Sequence, residues 1–158
     1  MLKAVVQHED LEGLRAEVER VSMGRAAVFT SRVRTIGLKS LPEKGAGLKL
    51  ESVRAGTVAA FCAVGNPAAF FEHLRREGFE LCYERAFPDH HAYTRADAEA
   101  VSREAVARGA RALLTTAKDA VKLRGLDFAL PCYVVEAKLE FDDEARLLGL
   151  LRGAVSVV

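Results

Sequence analysis

The chain has 158 residues, of which 50% are hydrophobic and 28% are charged, and its formal net charge is +1 at pH 7. This length suits one domain of common size, which can bury most of its apolar surface without disulfides or a structural metal. The high hydrophobic content and the near balance of charges exclude a disordered chain and a general nucleic-acid-binding surface.

Cysteine usage and hydropathy indicate the cellular compartment. Cys62, Cys82 and Cys132 show no CxxC spacing and lie in predicted strands, so we expect reduced, buried packing residues of a cytosolic protein. No apolar run approaches the roughly 18 residues that a membrane-spanning helix needs, and residues 1–6 lack the layout of a signal peptide. The sequence predicts a protein that is soluble or at most peripheral to a membrane.

In chain order, the first predicted elements are a short strand, a helix and a second strand. The apolar run at residues 2–6 suits a buried strand. Apolar residues then recur at spacings of three and four over residues 11–21, which predicts an amphipathic helix that ends before Gly24. Residues 26–33 predict the second strand.

Residues 34–56 contain four glycines and are predicted to form a linker. The segments 35–38 and 48–53 predict a two-stranded β ribbon within it. The basic side chains of this region suit a solvated surface or, alternatively, contact with phosphates or anionic lipid head groups. They are Arg32, Arg34, Lys39, Lys44, Lys49 and Arg54, against Glu43 and Glu51.

Residues 57–63 are apolar except at the first position, which predicts a central strand covered on both faces. Gly65 then allows a tight turn, and Asn66 as N-cap with Pro67 after it favours a helix that runs to about Glu77. This unit resembles the start of a nucleotide-binding fold, although the GxGxxG spacing is absent. Asn66 is therefore either a helix cap or a contact to a bound nucleotide.

The segment 87–94, Phe-Pro-Asp-His-His-Ala-Tyr-Thr, concentrates more chemically useful side chains than any other part of the chain. It follows a predicted strand at residues 79–87 and precedes a predicted helix at residues 95–108, which a capping box starts. Asp89 and His90 would thus lie on a loop at the carboxyl end of a strand, where open α/β sheets hold their active sites. Neighbouring histidines on a loop are also common as solvated surface residues.

The remaining elements continue the alternation of strands and helices. Residues 112–116 predict a strand, a second capping-box spacing at Thr116 predicts a short helix at residues 117–123, and residues 132–137 predict another strand. Asp142 is predicted to cap a last helix that buries three leucines, Leu147, Leu148 and Leu151. The pattern predicts an α/β protein with a mostly parallel, Rossmann-like sheet, helices on both faces, and the two-stranded β linker.

Three separated segments carry a family resemblance. They are residues 59–67 (AAFCAVGNP), 87–94 (FPDHHAYT) and 115–123 (TTAKDAVKL). In this order they resemble the C-terminal half of the lipid A 4'-kinases, the tetraacyldisaccharide 4'-kinases, over about residues 26–151.

That resemblance implies a division of the chain and a parent reaction. A remnant of the N-terminal kinase core is expected at residues 1–33, the β-ribbon linker at residues 34–56 and a C-terminal α/β domain at residues 57–158. The reaction implied is transfer of the ATP γ-phosphate, with Mg²⁺, to the 4'-hydroxyl of tetraacyldisaccharide 1-phosphate in lipid A biosynthesis. The implied location is cytoplasmic, peripheral at the inner membrane's cytoplasmic face.

The P-loop pattern GxxxxGK[ST] is absent from the sequence. In the resembled family this phosphate cradle lies in an N-terminal domain together with the metal-binding acidic residues. We therefore expect this chain alone to be inactive and to bind neither ATP nor Mg²⁺ tightly. It would meet the lipid disaccharide and ATP through that other domain, and no nucleic-acid partner is expected.

The resemblance also implies roles for individual residues. His90 is expected to help activate the sugar 4'-hydroxyl, and Asp89 to hold the tautomer of its imidazole. Lys118 and Asp119 belong to the third segment, where the family usually has a glutamate in place of Ala117. These two residues either contact the nucleotide, together with Asn66, or form a capped, ion-paired helix start; no metal ligand is expected.

Two other functions remain open from the sequence. The absence of a phosphate cradle also suits a stand-alone, non-enzymatic α/β module that binds a nucleotide or a partner. The letters Asp-His-His occur in metal phosphoesterases of the DHH type as well, but such a site needs further ligands. No Asp-x-Asp pair precedes these letters, and the other histidines are His8 and His73.

Overall fold

The computed structural model describes residues 11–41 and 50–155. The helices are α1 (Leu11–Ser22), α2 (Leu50–Arg54), α3 (Pro67–Arg76), α4 (Arg95–Ala107), α5 (Ala117–Ala120), which a 3-10 turn (Val121–Leu123) extends, and α6 (Glu144–Val155). The strands are β1 (Ser31–Leu41), β2 (Thr57–Cys62), β3 (Glu80–Ala86), β4 (Leu113–Thr116) and β5 (Cys132–Phe141). The strand predicted at residues 2–6 lies outside the described residues.

These strands form a five-stranded sheet in the order β1-β5-β4-β2-β3. β2 runs parallel to both β3 and β4, and β4 runs parallel to β5. Ala60 in the middle of β2 pairs with Glu84 on one side and with Leu114 on the other. The predicted mostly parallel α/β sheet is confirmed.

Both faces of the central strand are covered, which explains its continuous apolar sequence. Cys62 belongs to a buried cluster that includes Leu74 of α3, whereas Phe61 belongs to a second cluster that includes Val101 of α4. Helices therefore cover both faces of the sheet, as predicted. All three cysteines are free thiols, with Cys62 and Cys132 buried and Cys82 partly buried.

The linker region differs from its prediction. β1 begins at Ser31 and not at residue 26, and it includes the segment 35–38, but its neighbour in the sheet is β5. Leu50–Arg54 is a helix and not the second strand of a ribbon. The spacing of Leu50 and Val53 places both on one helical face, and Val53 is buried against the core.

The chain divides into two compact units, residues 33–138 and residues 1–32 together with 139–158. The predicted boundaries at residues 33 and 56 stay predictions. Within the second unit, the hydroxyl of Thr30 donates to Asp142 Oδ2 at 3.0 Å, and the Asp142 N–H donates to the Thr30 carbonyl at 3.1 Å.

The cap of the last helix lies one residue later than predicted. Asp143, not Asp142, caps α6, because its Oδ1 accepts the Arg146 N–H at 2.9 Å. The predicted burial of the leucines is wrong for Leu148 and Leu151, which are 44% and 53% exposed. Their spacing marks an apolar face, which is about half exposed at these two residues.

Candidate functional site

The three segments singled out in the sequence lie at one edge of the sheet, within the unit of residues 33–138. Because β2, β3 and β4 are parallel, the loops after their carboxyl ends emerge on the same side. These loops are residues 63–66, residues 87–94 and the turn from β4 into α5. We call this region the carboxyl edge, and it is the candidate active site.

His90 stands at the tip of a tight turn in the loop after β3. The backbone N–H of His91 donates to the carbonyl of Pro88 at 3.1 Å, and His90 between them has a φ of +61°. This left-handed conformation costs a non-glycine residue about 1–3 kcal/mol and is found most often at functional sites. The turn leaves the His90 side chain 78% exposed and clear of the core.

Asp89 is oriented towards His90 and towards the neighbouring loop. Its Oδ1 accepts the backbone N–H of His90 at 3.0 Å, and its Oδ2 lies 3.7 Å from His90 Nε2. A Cβ placed on Gly65 would lie 3.4 Å from the same Oδ2, so the turn after β2 passes close to this carboxylate. The structure thus brings the predicted pair together beside the Gly65 turn.

His91 makes different contacts from its neighbour. Its Nε2 lies 3.1 Å from Asp97 Oδ2, and its ring stacks on Phe87 with the ring centroids 4.7 Å apart. Hydrogen bonds from Thr94, first from its hydroxyl and then from its N–H, hold the pKa of Asp97 below its ordinary value. His91 therefore anchors the loop to the capping box that starts α4.

Two residues predicted to contact the nucleotide lie on the surface of the carboxyl edge. Asn66 is exposed, and its Oδ1 accepts the Ala69 N–H at 3.1 Å, so it caps α3. Lys118 is exposed on the single turn of α5. Cap and nucleotide contact are compatible for Asn66, since its side-chain amide nitrogen takes no part in the cap.

Asp119, the third such residue, has no exposed surface. Its Oδ2 accepts the hydroxyl of Thr116 at 2.7 Å and the backbone N–H of Ala63 at 3.2 Å. Its Oδ1 lies 3.9 Å from the ammonium nitrogen of Lys122. The carboxylate therefore points into the protein, towards the end of β2, and is closed to solvent.

Tyr93 belongs to the site although sequence reasoning gave it no role. Its hydroxyl is buried, and burial above all, with the negative charge of Asp119 next, raises its pKa. Neither this hydroxyl nor Asp119 Oδ1 has a hydrogen-bond partner of good geometry among the described residues. A phenol in a loop is equally common at the surface, so the sequence carried no sign of this burial.

The described residues contain neither a cluster of metal-binding side chains nor a membrane-spanning helix. In residues 11–41 and 50–155, no three His, Cys, Asp or Glu side chains converge as a metal site would require. Over the same ranges, every helix is too short or too polar to cross a bilayer.

Comparison with known proteins identifies the family. A sequence model described as tetraacyldisaccharide-1-P 4'-kinase matches residues 4–156. The tetraacyldisaccharide 4'-kinase of Anaeromyxobacter dehalogenans strain 2CP-C is 44% identical over 116 residues, which make up 73% of this chain and 30% of that protein. The protein of the same name from Bradyrhizobium sp. strain ORS 278 is 34% identical over 148 residues, or 92% of this chain and 41% of that one.

A solved structure has the same fold. It is the crystal structure of the "apo" form of LpxK from Aquifex aeolicus in complex with ATP, with a TM-score of 0.54 and 21% identity. The match covers 85% of this chain and 39% of that one. The chain likewise spans about a third of the length of the curated relatives. Because the family model matches nearly the whole chain, the protein belongs to the tetraacyldisaccharide-1-P 4'-kinase family.

Proposed function

We propose that this chain provides the C-terminal part of a tetraacyldisaccharide 4'-kinase. The complete enzyme would transfer the γ-phosphate of ATP to the 4'-hydroxyl of tetraacyldisaccharide 1-phosphate. One observation carries the proposal: in a chain of this family, an exposed imidazole, His90, stands beside Asp89 at the carboxyl edge of a parallel sheet.

The geometry suits a role in handling the proton of the sugar hydroxyl. Phosphoryl transfer needs positioning and charge stabilisation, together with a group that accepts or orients the proton of the nucleophile. His90 Nε2 is the ring nitrogen near Asp89, so Asp89 favours a proton on Nε2 and leaves Nδ1 as the acceptor. The left-handed turn holds the imidazole away from the core, where a sugar could reach it.

The remaining binding groups follow from the same placement. Asn66 and Lys118 would contact the nucleotide from the carboxyl edge, Lys118 through its charge and Asn66 through its amide nitrogen. ATP and Mg²⁺ would be held mainly by a P-loop outside this sequence, since GxxxxGK[ST] does not occur in it. Mg²⁺ would there neutralise the charge that develops on the phosphates.

The substrate sets the location proposed for the enzyme. A disaccharide with four acyl chains resides in a membrane, so the kinase would work peripherally at the cytoplasmic face of the inner membrane. The exposed Arg32 and Arg34 of β1 are side chains of the kind that anionic lipid surfaces attract, and Arg32 Nε also lies 3.3 Å from Glu140 Oε2.

A chimeric enzyme tests the proposal. This chain would replace the matching segment of the Anaeromyxobacter dehalogenans kinase, with which it is 44% identical. We expect the chimera to phosphorylate tetraacyldisaccharide 1-phosphate, and His90→Ala to lower kcat about 100-fold or more, as loss of a general base does. The KM for ATP should change far less, because His90 is assigned to the sugar and not to the nucleotide.

Circular dichroism and the free energy of unfolding of the His90→Ala chain serve as the folding control. An active chimera whose kcat is unchanged by His90→Ala would remove His90 from the mechanism. Should the chimera be inactive, the same substitution at the matching histidine of the relative tests the role within the family.

Because GxxxxGK[ST] is absent from the sequence, a second function is also possible: the chain could be a stand-alone module that binds a nucleotide or a partner protein. The DNA upstream of Met1 separates the two. An in-frame segment that encodes GxxxxGK[ST] supports the kinase, and its absence supports the module. Membership of the kinase family leaves the phosphoesterase alternative without support.

A further inference from the structure

Asp119 carries a fully buried carboxylate at a place where local structure does not require one. α5 is a single turn, and its cap is the hydroxyl of Thr116, which accepts the Asp119 N–H at 3.2 Å. A carboxylate taken out of water must be compensated by hydrogen bonds and positive charge. Since Thr116 already caps the helix, the reason for this costly group lies in what the carboxylate itself contacts.

The carboxylate reaches out of its own helix to the loop after β2. Asp119 Oδ2 accepts the N–H of Ala63, the residue directly after β2, across a separation of 56 residues in sequence. Two residues later, a Cβ built on Gly65 would lie 3.4 Å from Asp89 Oδ2, so this turn passes close to that carboxylate. The bond to Ala63 thus fixes the start of the turn that passes beside Asp89.

The charge of Asp119 also influences Tyr93, in the loop after β3. The ring of Tyr93 packs edge-on against Phe61 and Phe87, with ring centroids 5.8 and 5.1 Å away, and its hydroxyl is buried. Burial and then the charge of Asp119 raise the pKa of Tyr93, so the phenol keeps its proton beside the carboxylate. Tyr93 is three residues from His90, in the same loop.

We propose that Asp119 is a positioning residue, whose buried carboxylate joins the loop after β2 to the turn after β4 and so holds the loop that lies beside Asp89 and His90. The catalytic role of His90 rests on the proposed function, but the hydrogen bonds of Asp119 do not depend on it. In this role Asp119 has no direct contact with the nucleotide, because its side chain has no exposed surface.

Nuclear magnetic resonance of the whole chain provides the test, with Asp119→Ala compared to Asp119→Asn. The alanine variant loses both bonds of Oδ2, so we expect hydrogen exchange of the Ala63 amide to quicken about tenfold or more. The His90 ring signals should shift in the same variant, while the amide of Leu114 in β4 keeps its protection. Asparagine retains an oxygen that can accept both bonds, so Asp119→Asn should restore the native exchange and His90 signals.

Two further variants make the outcome decisive. Asp127→Ala removes an exposed aspartate from the following loop and should leave Ala63 and His90 unchanged. Thr116→Val removes one hydrogen-bond donor to Asp119 Oδ2, so it should change Ala63 exchange and the His90 signals in the same direction but less. This variant replaces Asp119→Ala in the test if Asp119→Ala does not fold. Unshifted His90 signals in Asp119→Ala, or equal loss of protection at every amide, would overturn the proposal.

Kinetics in the chimera separate this inference from the proposed function. Asp119→Ala should lower kcat with little change in the KM for ATP, as expected if His90 is displaced while the nucleotide site is intact. If His90→Ala leaves turnover intact while Asp119→Ala still shifts the His90 signals, the catalytic role fails and the positioning role stands. If His90→Ala abolishes turnover and Asp119→Ala changes neither kcat nor those signals, only the positioning role fails.

Discussion

At the scale of single residues, the carboxyl edge gives two adjacent histidines opposite environments. The left-handed turn exposes His90, whereas the ring of His91 is 27% exposed and lies between Phe87 and Asp97. Two identical letters in the sequence could not show this difference, because it depends on a backbone angle. The buried carboxylate of Asp119 was equally invisible, since a capping-box spacing is the same in an exposed and in a buried helix start.

His91 should contribute to stability where His90 does not. His91→Ala removes the contact with Asp97 and the stack on Phe87, and we expect it to lower the free energy of unfolding by about 1–2 kcal/mol. His91→Phe keeps the ring stack and loses the polar contact, so it should cost about half as much. Urea unfolding of both variants and of His90→Ala makes the comparison. A His91→Ala variant as stable as the parent would show that the anchor contributes nothing.

At the scale of elements, the sequence predicted best where a local pattern and the tertiary environment agree. β2 is apolar after Thr57 because both of its faces are covered, and α4 begins where its capping box predicts. Prediction failed where tertiary contacts decide. Leu50–Arg54 is short enough to read as either strand or helix, and β1 gained β5 as its neighbour, a partner distant in sequence that no local pattern specifies.

A buried contact between His73 of α3 and Thr35 of β1 should make the stability of the protein depend on pH. His73 of α3 is buried, and its Nε2 lies 2.9 Å from the hydroxyl of Thr35 on β1. Burial lowers the pKa of His73 below its ordinary 6.5; the nearby Glu77 opposes this, and Arg76 adds to it. The unfolded chain therefore binds a proton more readily than the native protein as pH falls through 6.5, and stability declines there.

Urea unfolding at pH 7.5 and at pH 5.5 checks this expectation. The contribution of His73 should be fully present above its unfolded pKa and should be lost as pH falls towards the folded one. His73→Gln can keep a side-chain partner for Thr35 but cannot titrate, so it should lose less stability between the two pH values than the parent chain. An equal loss in both proteins would assign the pH dependence to other groups.

At the scale of the whole molecule, the parallel sheet and the position of Asp89 and His90 on a loop after a strand were predictable, because strand and helix patterns alternate along the sequence. The exposure of the leucines of α6 was not predictable. An apolar stripe shows that a helical face could be buried, but it does not show whether another part of the protein buries it. The described residues that are proposed to contact the nucleotide are a capping asparagine, Asn66, and an exposed lysine, Lys118. These can orient a phosphate but do not enclose it.

Weak affinity for ATP follows from that arrangement. One helix N-terminus and one lysine lack the row of backbone N–H groups that a P-loop folds around the phosphates. We expect calorimetric titration of the chain with ATP and Mg²⁺ to give a dissociation constant of about 1 mM or weaker. Lys118→Ala should weaken even this binding, whereas Lys138→Ala on β5 is the matched control. Micromolar affinity in the chain itself would mean that it carries a complete nucleotide site, and the proposed division of the kinase would fall.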